Sequence, residues 1–152
     1  LDKCEAKQYS FMRKIEAFDF GYNHRIFAPD EVIRLFPRLE VKWEHKVHER
    51  PVCKLPKQKL SGILMHYTYD SWQQWLDKAG QYTSIWAEDN FSKGKRVGKS
   101  AAFTHGIYGF IRAYFLQLGF LDGWAGLYSS LQHFFYTLLK YWKLYELQQK
   151  NK

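Results

Sequence analysis

Two consecutive apolar runs, Ala101 to Leu121 and Trp124 to Leu147, constrain this chain more than any other feature. Each is about the length of a short bilayer span. Gly119-Phe120-Leu121-Asp122-Gly123 between them is a turn signal. The first run is apolar almost all round, with Arg112 as its only strongly charged residue. The second holds Gln132 and His133 mid-run, with Lys140, Lys143 and Glu146 only near its end. An arginine at the bilayer centre costs roughly 2.5–3.5 kcal/mol on insertion scales. That cost favours two helices lying in or dipping into a membrane interface over a transmembrane hairpin. Packing of both helices on the protein body is the competing reading. It holds for one face of each, because a soluble helix normally hides only a stripe.

The front of the chain has a different period. Tyr9, Phe11 and Arg13 alternate, as do the residues of Val32-Ile33-Arg34-Leu35-Phe36. Val41-Lys42-Trp43 and Ile63-Leu64-Met65-His66-Tyr67 are short β-prone runs. Pro29, Pro37, Pro51 and Pro56 fall between these runs and punctuate loops. From Asp70 the spacing becomes helical: Asp70 or Ser71 can cap a helix that carries Trp72, Trp75, Leu76, Ala79, Tyr82 and Trp86. Lys93-Gly94 suits its end, with a cation near the C-terminus and a glycine able to take positive φ. The expected class is α+β, in three parts: strand-rich residues 1–69, an amphipathic helix and basic connector over 70–98, and paired aromatic-rich helices over 99–152.

The chain has 152 residues, enough for one domain with a real core. Hydrophobic residues make up 46%, which excludes a disordered tail. Aromatic residues reach 19%, and Tyr and Trp are favoured where one end of the ring is apolar and the other wet. The net charge of +8 points to an anionic partner, with ordinary solubilising charge as the bland alternative. Cys4 and Cys53 lack metal-type spacing and are expected as reduced thiols. The sequence opens on Leu1-Asp2-Lys3-Cys4, without an initiating Met or a signal segment, and is expected to start inside a longer protein.

The densest cluster of chemistry-bearing groups is Trp43-Glu44-His45-Lys46-Val47-His48-Glu49-Arg50-Pro51. On a strand, His48 and Lys46 share one face while Val47 and Glu49 share the other. A strand-end carboxylate beside a histidine suits a general base or a metal ligand, although such pairs are also common on solvated strand ends. Arg34 is a second candidate, since its planar fork fits phosphate or carboxylate; pairing with Asp30, Glu31 or Glu44 is the structural alternative. His66 follows a hydrophobic strand, where a structural histidine is the simpler expectation. No H-E-x-x-H, Walker loop or G-x-S-x-G occurs, so a zinc peptidase, a P-loop NTPase and a serine hydrolase find no support.

Taken in order, Arg34-Leu35-Phe36, Trp43, Val47-His48-Glu49 and Leu60-x-Gly62-x-Leu64-x-His66-x-Thr68-Tyr69 resemble the second half of family 2 glycosyltransferases. The subgroup most similar is the one that adds sugars, notably glucose, to the inner core of lipopolysaccharide. Gly94-Lys95-Arg96, Phe110-x-Arg112-x-Tyr114, Gly119 to Gly123, Gly126 and Lys140-Tyr141 agree with that pattern. The resemblance implies the C-terminal, acceptor-side part of a GT-A fold. It also implies a nucleotide sugar donor such as a UDP-sugar, a glycolipid acceptor and a divalent cation, Mg or Mn. The family's Asp-x-Asp is absent from these residues, so the resemblance implies a half-site that is inactive alone.

Carried onto this chain, the resemblance makes Glu49 the catalytic base and His48 an orienting group or metal ligand. Arg34, Trp43 and His66 become substrate-binding residues. Lys95, Arg96, Lys99, Trp124 and Trp142 would hold the protein peripherally on the cytoplasmic face of the inner membrane, at roughly 1 kcal/mol per basic residue. A non-enzymatic membrane-surface binding module is the alternative function. Nucleic acid is not an expected partner, because the rings lie in apolar runs rather than alternating with basic residues along a sheet face.

Overall fold

The computed structural model describes residues 6–26, 29–44 and 50–151. Five strands precede three helices: β1 (Gln8–Ile15), β2 (Asp30–Leu35), β3 (Val41–Glu44), β4 (Arg50–Cys53), β5 (Lys57–His66), α1 (Trp72–Ser92), α2 (Ala101–Ile111) and α3 (Gly123–Lys150). They form the expected α+β arrangement. A mixed sheet has the order β2-β1-β5, with β2 antiparallel and β5 parallel to the central β1. Strands β3 and β4 pair separately as an antiparallel ribbon.

Two strand expectations change. β5 starts six residues before Ile63, because Gly62 sits inside the strand rather than ending it. The register with β1 shifts between Ser10↔Lys59 and Met12↔Ile63, so β5 bulges there, and Gly62 takes φ 122°. Only glycine enters that region without steric cost. Pro51 lies within β4, opposite Trp43, rather than in a loop. A two-stranded ribbon consists of edges, where a residue lacking an N–H is tolerated.

Helix α1 begins as its sequence predicts. Ser71 Oγ accepts from Gln74 N at 3.1 Å, and the Gln74 side chain accepts from Asp70 N at 2.9 Å. It ends in a Schellman motif: Lys95 N donates to Asn90 O (2.9 Å), Gly94 N donates to Phe91 O (3.0 Å), and Gly94 has φ 80°. The buried stripe is Trp75, Ala79, Thr83 and Ala87. Trp72, Leu76 and Tyr82 flank it and stay partly open, so small residues rather than the full aromatic set form the seam against α3.

The two apolar runs form a packed pair, and no described helix is long and apolar enough to cross a membrane. Helix α2 buries Ala102, Gly106 and Gly109, and α3 buries Ala125, Gly126, Ser129, Ser130, Thr137 and Leu144. A Cβ on Gly106 would come within 3.1 Å of the Phe134 ring, and one on Gly126 would overlap the carbonyl oxygen of Gly119. Small residues let the backbones approach, and the large side chains turn outward. Phe103, Ile107, Tyr108, Phe115 and Leu116 are all exposed. The first run does not continue as an α-helix: a π-helical turn over Arg112–Leu116, closed by Gln117 N to Arg112 O at 2.8 Å, precedes the short 3₁₀ turn Gly119–Asp122.

Candidate functional site

The registers Arg13↔Asp30, Arg13↔Leu64 and Ile15↔His66 put Arg13, Ile15, Asp30, Arg34 and His66 on one sheet face. That face looks toward α1 and α3. Where β1 and β5 end, a cavity of about 350 Å³ opens between sheet and helices. In sheets with parallel strands, ligands bind outside the carboxyl ends of the strands. The volume lies within the ordinary range for small-molecule sites.

Six Phe, Tyr and Trp side chains line it: Phe18, Tyr69, Trp75, Tyr82, Tyr128 and Tyr136. Tyr128 stacks with Phe18 among them at 6.3 Å, and beyond the cavity it meets Phe20 at 5.0 Å and Trp72 at 5.7 Å. Burial raises the phenol pKa values of Tyr69, Tyr128 and Tyr136, so these hydroxyls stay protonated and able to donate. The polar groups at the cavity are Arg13, Glu16, Asn23, His66, Thr68, Ser129, Gln132 and His133. Arg13 holds both oxygens of Asp30, Nε at 2.9 Å and Nη2 at 2.6 Å, which lowers the Asp30 pKa. Burial lowers the pKa of His66, with Arg13 and Arg34 adding to the shift. Burial likewise lowers that of His133, assisted by the charges of Lys140 and Arg112. Both imidazoles are therefore neutral near pH 7, each offering one donor and one acceptor nitrogen. The buried Thr68 hydroxyl has no hydrogen-bond partner among the described residues, so a ligand hydroxyl would satisfy it.

The sequence-derived candidates fall in different places. His66 lines the cavity. Arg34 shares its sheet face and is near enough to act on His66 and Asp30, but it is exposed and, among the described residues, its side chain donates only to the adjacent Ile33 carbonyl. Trp43 is 59% exposed on the ribbon and meets Phe36 edge-on at 6.0 Å, away from the cavity. His48 and Glu49 lie outside the described residues, in the segment joining β3 and β4. Among the described residues no group of three or more His, Cys, Asp or Glu could hold a metal ion. They offer no ligand set for the divalent cation that the resemblance implies. Cys53 is a free thiol, and Cys4 lies outside the described residues.

Of the membrane-binding candidates, Trp124 is 72% exposed at the start of α3, and Trp142 meets Phe103 edge-on. Lys95 sits over aromatic rings, Arg96 stacks 4.1 Å from the centre of the Phe91 ring, and Lys99 is exposed.

Sequence reasoning missed Glu16, Tyr128 and Tyr136, and it noted Gln132 and His133 only as polar interruptions. A signal was present: Tyr128, Gln132 and Tyr136 recur every four residues, as do Ser129 and His133, within an otherwise apolar helix.

Curated proteins similar to this chain are named as glycosyltransferases. An uncharacterized glycosyltransferase of Rickettsia typhi is 33% identical over 139 residues, covering 84% of this chain and 48% of that protein. Another, of Rickettsia prowazekii, is 33% identical over 92 residues, or 60% of this chain and 32% of that protein. A third, of Rickettsia felis, is 32% identical over 93 residues, or 61% of this chain and 33% of that protein. The chain spans about half the length of the first and about a third of the other two. No family model and no solved structure matches it. These relationships support a glycosyltransferase.

Proposed function

We propose that this chain is the acceptor-side part of an inverting family 2 glycosyltransferase with a GT-A fold. It would transfer a sugar from a UDP-sugar or similar nucleotide sugar to a cell-envelope glycolipid, with the lipopolysaccharide core as the leading acceptor. The observation that carries the glycosyltransferase part of this reading is the 33% identity over 84% of the chain to a protein named as an uncharacterized glycosyltransferase; the finer assignments rest on the motif resemblance. The cavity adds physical support. Apolar C–H faces of a pyranose pack on aromatic rings, while its hydroxyls need the convergent polar groups that Glu16, Arg13, His66, Gln132 and His133 supply.

In the proposed reaction a carboxylate takes the proton of an acceptor hydroxyl. That oxygen bonds to the anomeric carbon as the bond from this carbon to the nucleoside diphosphate breaks on the opposite side. Glu49 is the proposed base, His48 its orienting neighbour, and Arg34 a contact for phosphate at the cavity margin. Donor binding, with its divalent cation, is assigned to residues outside this chain, since Asp-x-Asp does not occur within it. The exposed apolar residues of α2 and the following turns, with Lys95, Arg96, Lys99, Trp124 and Trp142, support peripheral attachment to the cytoplasmic face of the inner membrane.

The test is transfer of isotope-labelled sugar by the full-length protein to extracted core glycolipid. Activity is expected in the unaltered enzyme, and Glu49→Gln is expected to lower turnover by about 10²–10⁴-fold. Near-normal turnover of Glu49→Gln would remove the base assignment. No transfer from any nucleotide sugar would remove the enzyme reading and leave a membrane-surface binding module.

A further inference from the structure

Away from the cavity, two cations share one aromatic platform. The Lys95 ammonium lies 4.9 Å from the centre of the Trp86 ring and 5.1 Å from that of Tyr141. Lys140 reaches the same rings at 5.0 and 5.6 Å. The rings themselves are 5.1 Å apart, and His105 stacks flat on Tyr141 at 4.1 Å with an interplanar angle of 8°. The Schellman turn that ends α1 fixes Lys95, and α3 fixes Lys140. The backbone that carries each cation is therefore fixed before any ligand arrives.

Neighbouring lysines are paired: Lys93 with Asp89, and Lys150 with Glu146. Among the described residues neither Lys95 nor Lys140 pairs with a carboxylate. Lys140 is also half-buried, so its charge has given up water without gaining a counter-ion. Burial, and then the charge of Lys95, lowers the Lys140 pKa. Two like charges held together on a ring platform favour one ligand that carries two negative charges.

We propose that Lys95 and Lys140, seated on Trp86 and Tyr141, form a binding site for a phosphoryl group. A phosphate monoester matches the two positive charges, whereas a carboxylate matches one, and lysine binds phosphate as a point charge without needing a planar partner. The group comes either from a lipid headgroup or from a soluble phosphate. The site rests on the glycosyltransferase reading and deepens it by giving the acceptor side a second, cationic anchor, but phosphate binding itself does not require sugar transfer.

The experiment is calorimetric titration of the full-length protein with inorganic phosphate, together with flotation on phosphatidic acid and phosphatidylcholine vesicles. Lys95→Met and Lys140→Met are each expected to weaken one of these interactions at least 10-fold. Lys54→Met, at an exposed lysine between β4 and β5 and off the platform, should change neither, and the Lys95→Arg/Lys140→Arg pair should retain binding. Loss of phosphatidic acid flotation alone assigns the headgroup as the source; loss of phosphate binding alone assigns the soluble anion. Unchanged binding in Lys95→Met overturns the site, as does an equal loss in Lys54→Met, which would mean diffuse attraction. Should Lys140→Met fail to fold, Lys95→Met carries the decision, because that side chain is exposed. A protein that binds phosphate but transfers no sugar would lose the enzyme reading and keep this site.

Discussion

Replacing Lys143 by methionine tests how α1 and α3 are joined. The Lys143 ammonium donates to Gly80 O at 2.6 Å, to Thr83 Oγ1 at 2.9 Å and to Ser84 Oγ at 2.9 Å. All three of its protons therefore meet neutral acceptors on α1. Hydrogen bonds to charged groups contribute about 1.5–3 kcal/mol each, so a simple sum would reach several kcal/mol. Two effects reduce that sum. Thr83 also bonds to Ala79 O at 2.6 Å and Ser84 to Gly80 O at 3.0 Å, so removing the lysine orphans neither hydroxyl. Methionine also relieves the desolvation of the ammonium, the cause that lowers the Lys143 pKa. The net expectation is a loss of about 1–2 kcal/mol, with methionine filling most of the vacated volume. Urea denaturation of Lys143→Met, Thr83→Val and the double variant measures both the loss and the coupling between the residues. A methionine variant as stable as the parent, or a coupling of zero, would falsify the claim that this ammonium clamps the helices.

Other outcomes follow from the same geometry. Gly126→Ala puts a methyl group onto the Gly119 carbonyl, a backbone atom that cannot rotate away, and should destabilise by about 3 kcal/mol in thermal denaturation. Gly98→Ala, with open space around its Cβ, should be neutral by the same measurement. The depressed pKa values of His66 and His133 make the unfolded chain bind more protons than the folded one. Their contribution to stability should thus be complete above the ordinary imidazole value of 6.5 and be lost as the pH falls below it. Denaturation midpoints measured from pH 7.5 to pH 4.5 should show a drop that shrinks in His66→Gln/His133→Gln; an identical drop would refute the assignment.

Much of the helical half is legible in the sequence because its signals are local. Ser71, Gln74, Lys93 and Gly94 lie within a few residues of the backbone groups they satisfy, and α1 starts and stops where they indicate. The turn at Gly119 to Gly123 is local in the same way. Which face of α2 and α3 is buried is harder to read, since both runs are apolar almost all round. The close approach of Gly106 to Phe134 and of Gly126 to Gly119 decides it, and that approach appears only once the helices have packed. The cavity escaped notice for a related reason. Glu16, His66 and Gln132 are scattered over more than a hundred residues, and only the pairing of β1 with β5 beneath α3 gathers them. The β1–β5 pairing itself leaves no mark in the sequence, because Gly62 reads as a break until the bulge is seen.

Asn23 and Asp122 carry a consequence for how the molecule assembles. The Asn23 side chain bonds to Ser129 at 2.9 Å, and Asp122 accepts from the backbone N–H groups of His24 at 3.0 Å and Arg25 at 2.8 Å. The partners in these bonds are about a hundred residues apart along the chain. Closing so long a loop costs entropy before any contact repays it, so such pairings form late. On a ribosome, the segment after β1 must wait for the start of α3 to emerge before its amides find their carboxylate. The aromatic chamber can close only after the start of α3 has docked on that segment.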